Sequence, residues 1–109
     1  MKALLISITL LVAFIISLNL SSQKVNKRKE MPKNGFVPDA GTAKKIAEAI
    51  WVPIYGQEMI DGEKPFQAEL FHDTAWHVNG TLPKGYSGGT AYIVIRKNDC
   101  KVLEVWHDK

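Results

Sequence analysis

The stretch Asp39–Gly56, DAGTAKKIAEAIWVPIYG, constrains this chain more than any other. Ala43, Ile46, Ala47, Ile50, Trp51 and Ile54 recur near the i, i+3, i+4, i+7 spacing that gathers apolar side chains on one helix face, and Lys44, Lys45 and Glu48 fill the other. Asp39, after Pro38, supplies an acceptor for the free N–H groups of a first turn, with Thr42 as the alternative cap. Pro53 lacks the N–H that continues the helical ladder, so a kink or a stop near Val52 is expected before Gly56 lets the chain turn. One helix of roughly four turns cannot bury its apolar stripe alone. Its partner has to come from the segments beyond Lys64.

Those segments alternate. Gln57–Lys64, with Asp61-Gly62, reads as a turn, and Pro65 limits how early a strand can begin. Phe66, Ala68 and Leu70 then alternate with Gln67, Glu69 and Phe71, the pattern of a strand with one face on a core. A turn at Asp73-Thr74 leads to a second strand over about residues 75–80, with Trp76 and Val78 on one face and His77 and Asn79 on the other. Pro83, Gly85, Gly88 and Gly89 make residues 81–89 a loop. In residues 90–96, Ala91, Ile93 and Ile95 oppose Thr90, Tyr92 and Val94, so both faces are largely apolar. This pattern predicts a central strand, covered by the helix on one side and by sheet curvature, a loop or another molecule on the other. Asn98-Asp99 turns the chain into a last strand over residues 102–107. Helix first and antiparallel strands afterwards predict an α+β fold, an N-terminal helix packed on a curved antiparallel sheet.

The N-terminus is of another kind. Leu4–Leu20 is almost continuously apolar and follows Lys2, the layout of a secretory signal, and its 17 residues are at the short limit for a membrane span. Lys24, Lys27, Arg28 and Lys29 directly follow, and such charge resists translocation. The expected organisation is a signal peptide or membrane anchor over residues 1–22, a basic flexible linker over 23–34 and one domain over 35–109. The expected location is exported, either periplasmic or tethered to the cell membrane through residues 4–20.

Charge divides in the same way. Six basic side chains against Glu30 leave residues 1–34 at +5, whereas eight basic against ten acidic leave residues 35–109 at −2. A mildly acidic domain without a basic stripe gives nucleic-acid binding no electrostatic support. Cys100 is the only cysteine, so an intrachain disulfide and a cysteine-rich metal site are both excluded. His72, His77 and His107, with Asp73 and Asp108, are the one acid–base or ligand set, and their spacing does not force them to converge. Ser87 precedes a strand and forms no nucleophile elbow. Glu58, Asp61, Glu63 and Glu69 have no spacing that sets two of them at a catalytic separation. Neither an enzymatic activity nor a cofactor is expected.

Six patches, in order, resemble a bacterial family of NTF2-fold immunity proteins. They are Gly35-Phe-Val-Pro-Asp39 running into Thr42–Trp51 and Pro53–Gly56, then Lys64-Pro-Phe66, Trp76 with Val78, Gly80-Thr-Leu-Pro83, Gly88-Gly89 with Ala91, and Lys97-x-Asp99. The resemblance implies a reduced NTF2-like or cystatin-like cone. It also implies an immunity protein of a polymorphic toxin system, which binds and neutralises a cognate secreted toxin domain without catalysis. Aromatic anchors carry most of the energy of such interfaces and charges tune the encounter, which makes Tyr86, Trp106, His77 and Glu104 the candidate contacts. Trp106 is also a candidate for the core, and Tyr86 for loop packing. The alternative function is a periplasmic or membrane-tethered domain that binds a small ligand or peptide in the concavity of the sheet.

Overall fold

Asp39 caps the first helix. Its backbone is extended, its carboxylate accepts the Thr42 N–H at 2.7 Å, and helix α1 (Ala40–Tyr55) follows. The computed structural model describes residues 30–109, of which Met31–Lys109 form one unit. The apolar run Leu4–Leu20, the division at residue 22 and most of the basic linker lie outside the described residues. Among the described residues, no helix is long and apolar enough to cross a membrane.

Helix α1 does not stop at Val52. It passes through Pro53 to Tyr55, where Gly56 donates to the Val52 carbonyl at 2.8 Å. The bond that Pro53 removes would have reached the carbonyl of Ala49, an exposed residue, where water can take its place. The buried line of the helix is Ala43, Ala47 and Trp51, flanked by the half-buried Ile46 and Ile50. Ile54, expected on this stripe, is 57% exposed. Residues 57–62 are not a turn but a short helix, α2 (Gln57–Gly62), because Ile60 is drawn fully into the core and Gln57 bonds Asp61 across one turn.

Strands β1 (Gln67–Phe71), β2 (Ala75–Asn79), β3 (Ala91–Arg96) and β4 (Val102–His107) form an antiparallel meander in the order β1-β2-β3-β4. The β1–β2 turn is centred on His72-Asp73, one residue earlier than the sequence suggests. Both residues have positive φ, and with Thr74 they make the three-residue loop between the paired Phe71 and Ala75. The inner face carries Ala68 and Leu70, Trp76 and Val78, then Ala91, Ile93 and Ile95, alternating as the sequence predicts. Trp51 meets Phe66 edge to face at 5.2 Å, so each large buried side chain contributes roughly 1.5–3 kcal/mol of burial to the joint between helix and sheet. A register shift between Val94 and Ile95 inserts an extra residue into β4, which bends and twists that edge. The result is an N-terminal helix packed on a four-stranded antiparallel sheet, consistent with the reduced NTF2-like cone that the resemblance implies.

The segment before α1 is stitched to the β3–β4 turn. Phe36 and Val37 donate to the carbonyls of Asn98 and Lys97 at 3.0 Å, and the Trp76 indole donates to the Val37 carbonyl at 2.8 Å. Gly35 permits this approach. Its φ is +83°, and a Cβ there would lie 2.6 Å from the Lys97 carbonyl oxygen.

Candidate functional site

Alternation that sends apolar side chains to α1 on one face leaves the other face of the sheet facing outward. Register then decides which of its residues meet. Gln67, Asn79, Tyr92 and Trp106 form one cross-strand row, and Glu69, His77, Val94 and Glu104 form the next. Phe71, Ala75 and Arg96 form a third.

The rings on this face associate in pairs. Tyr92 and Trp106 lie directly opposite and stack, with planes 2° apart and centroids at 5.0 Å. Phe71 and His77 lie on a diagonal, tilted, with centroids at 4.2 Å. Val94 is the floor, only 6% exposed although it points away from the core. Phe71 and Trp106 remain 40% and 37% exposed, so the alternative that gives Trp106 to the core is wrong. Its register partner Tyr92 and its neighbour Glu104 set it on the outer face, where among the described residues no element packs over it. A shallow hollow of about 270 Å³ is lined by Glu69, Phe71, His77, Tyr92 and Trp106.

Three of the residues proposed from sequence, His77, Glu104 and Trp106, therefore share this face, and Tyr86 does not. Tyr86, 72% exposed, sits on the 81–89 loop beside a separate cleft of about 370 Å³ with Met59, Leu82, Glu63 and His107. Sequence reasoning put Phe71, Tyr92 and Glu69 opposite the core-facing residues of their strands but did not name them as candidate contacts. The signal was their alternation with Ala68, Leu70 and Ile93, but only the register joins them to His77 and Trp106.

At the floor of the second cleft, Glu63 is a buried carboxylate. One oxygen accepts the Ala91 N–H at 2.6 Å and the other lies 3.1 Å from His107 Nε2. The other ring nitrogen of His107 faces the Asp108 carbonyl at 2.6 Å, and Tyr55 packs edge-on against the ring. The two ring nitrogens of His107 thus face oxygens on both sides, the Glu63 carboxylate and the Asp108 carbonyl. These bonds clamp the end of α2 to the start of β3 and the end of β4. His72 lies in a turn, His77 on the outer face and His107 in this clamp. Among the described residues, no group of three or more His, Cys, Asp or Glu side chains is placed to hold a metal ion.

Near the edge of the outer face, Arg96 is engaged by its own turn. Its guanidinium donates twice to Asp99, each bond 2.8 Å, and the Lys101 N–H donates to the same carboxylate at 3.1 Å. The Arg96 bonds, then that of Lys101, hold the Asp99 carboxyl down at about 2.

Comparison with known proteins agrees with this architecture. A family model described as "NTF2 fold immunity protein" matches residues 42–109. An uncharacterized protein of Escherichia coli strain K12, YhhH, is 31% identical over 107 residues, covering 88% of this chain and 83% of that protein. No solved structure matches the chain.

Proposed function

The chain belongs to the NTF2-fold immunity-protein family, whose role is toxin neutralisation rather than catalysis, and from that premise we propose that it works by occlusion, laying the outer face of its sheet over a cognate toxin domain. The observation that carries this reading is an exposed face with two ring pairs beside the buried Val94, since aromatic side chains ordered by their neighbours give contact area at little entropic cost. Trp106 is the anchor, His77 and Glu104 are flanking contacts, and Tyr86 extends the contact only to a partner large enough to reach the loop. The apolar run Leu4–Leu20 exports the domain or tethers it, residues 23–34 space it from the membrane, and residues 35–109 meet the toxin outside the cytoplasm.

Co-production tests this reading. Cells that make the toxin domain encoded beside this chain should survive when the full-length chain is made with it and die when it is not. Equal killing in both cases would contradict the proposal.

A further inference from the structure

Resting on that toxin-neutralising reading, we infer that the outer face receives a cationic patch of the toxin, with two Arg or Lys side chains laid over the ring pairs and paired with Glu69 and Glu104. The charge of the face supports this. Glu69 and Glu104 stand at the two ends of one cross-strand row, on the two edge strands, with His77 and Val94 between them. Among the described residues, neither carboxylate lies within ion-pair distance of a cation, whereas Arg96 is already held by Asp99. The free charge of the face is therefore negative. Carboxylates at both edges also disfavour a second copy of this chain as occupant, because a two-fold face-to-face pairing would bring like charges together.

The rings specify the kind of cation. A guanidinium stacks flat on an aromatic face while its N–H groups fork onto a carboxylate, and Tyr92–Trp106 lies one row from Glu104 just as Phe71–His77 lies one row or less from Glu69. An ammonium can satisfy the carboxylate but stacks less well. Adjacent strands are about 4.8 Å apart, so the two carboxylates are separated by roughly 14 Å, the span of about four residues of extended chain. One basic side chain cannot serve both ends. The toxin has to present two, with an apolar stretch between them to cover Val94.

The test is calorimetric titration of the full-length chain, as its cells mature it, with the toxin domain encoded beside it, at low and at high salt. The wild-type chain should bind, more weakly as salt rises. Trp106→Ala should weaken binding about tenfold or more. Glu69→Lys with Glu104→Lys should weaken it about 100-fold at low salt. Should the reversed charges disturb folding, Glu69→Gln with Glu104→Gln keeps the side-chain shape and should flatten the salt dependence. Lys45→Glu, on the exposed side of α1, should leave affinity unchanged. A toxin that binds the wild type and all outer-face variants equally overturns this inference and leaves the immunity reading intact. A toxin that does not bind the wild type overturns both. A homodimer dissolved by Trp106→Ala would give the face to a second copy and overturn the inference as well.

Discussion

Replacing Glu63 with alanine should cost this domain about 3 kcal/mol. The Ala91 N–H, buried at the start of β3, would lose its acceptor, and an orphaned buried donor costs about 1–3 kcal/mol. The contact with His107 disappears too, but that ring is partly exposed and can hydrate, so its loss adds only about 1 kcal/mol, below the usual cost of breaking a fully buried pair. The packing vacated by the side chain supplies the remainder. For a domain of this size the total corresponds to a fall in Tm of roughly 15 °C. Glu63→Gln should cost under about 1 kcal/mol, because the amide oxygen still accepts from Ala91 while its NH₂ donates to a neutral His107. Gly80 sharpens the test. A Cβ there would lie 2.5 Å from the Glu63 carboxylate oxygen and 2.8 Å from Glu63 Cβ, so Gly80→Ala should be destabilising with Glu63 present and less so, though still destabilising, in the Glu63→Ala background, which keeps that Cβ. Urea denaturation of the four proteins in this cycle measures the coupling. A Glu63→Ala cost below about 0.5 kcal/mol, or additivity with Gly80→Ala, would refute the clamp.

Other consequences follow from local bonds. Asp99 should titrate with a midpoint of about 2 by NMR, because its ion pair and the Lys101 N–H favour the charged form. Its folded value is depressed, so its stabilising contribution is present above the ordinary value of 3.8 and is lost as pH falls through about 2; a midpoint at 3.8 would mean that the turn is open. Asp39→Ala should lower stability by about 1 kcal/mol in denaturant melts through loss of the helix cap, with Asp39→Ser close to neutral. Trp76→Phe should cost about 1–2 kcal/mol and speed amide exchange at Phe36 and Val37, because the indole bond to the Val37 carbonyl anchors that segment; unchanged exchange would show that the two backbone bonds suffice.

What could be read in the chain was local. Asp39 as a cap, α1 as a helix and the inward sets of β1, β2 and β3 depend on spacings of two to four residues, and all of them appear in the structure. The short helix α2 escaped because Asp61-Gly62 has turn chemistry and six residues carry no usable period, while the burial of Ile60 that holds it is tertiary. Glu63 escaped for the same reason, since its partners Ala91 and His107 are 28 and 44 residues away. Trp106 stayed ambiguous because β4 is mixed on both faces and its extra residue shifts the phase of the alternation. The outer face is a product of register, which places Trp106 on Tyr92 and Glu104 in line with His77, and no single strand encodes those meetings.

Neutralisation by contact predicts a definite stoichiometry. Titrating the full-length chain into a fixed amount of the toxin domain encoded beside it, and following residual toxin activity together with the mass of the toxin, tests that claim most directly. Activity should fall linearly to zero near one chain per toxin while the toxin's mass stays unchanged. Activity that persists at large excess, or that vanishes at a small fraction of one equivalent with a changed toxin mass, would contradict the account.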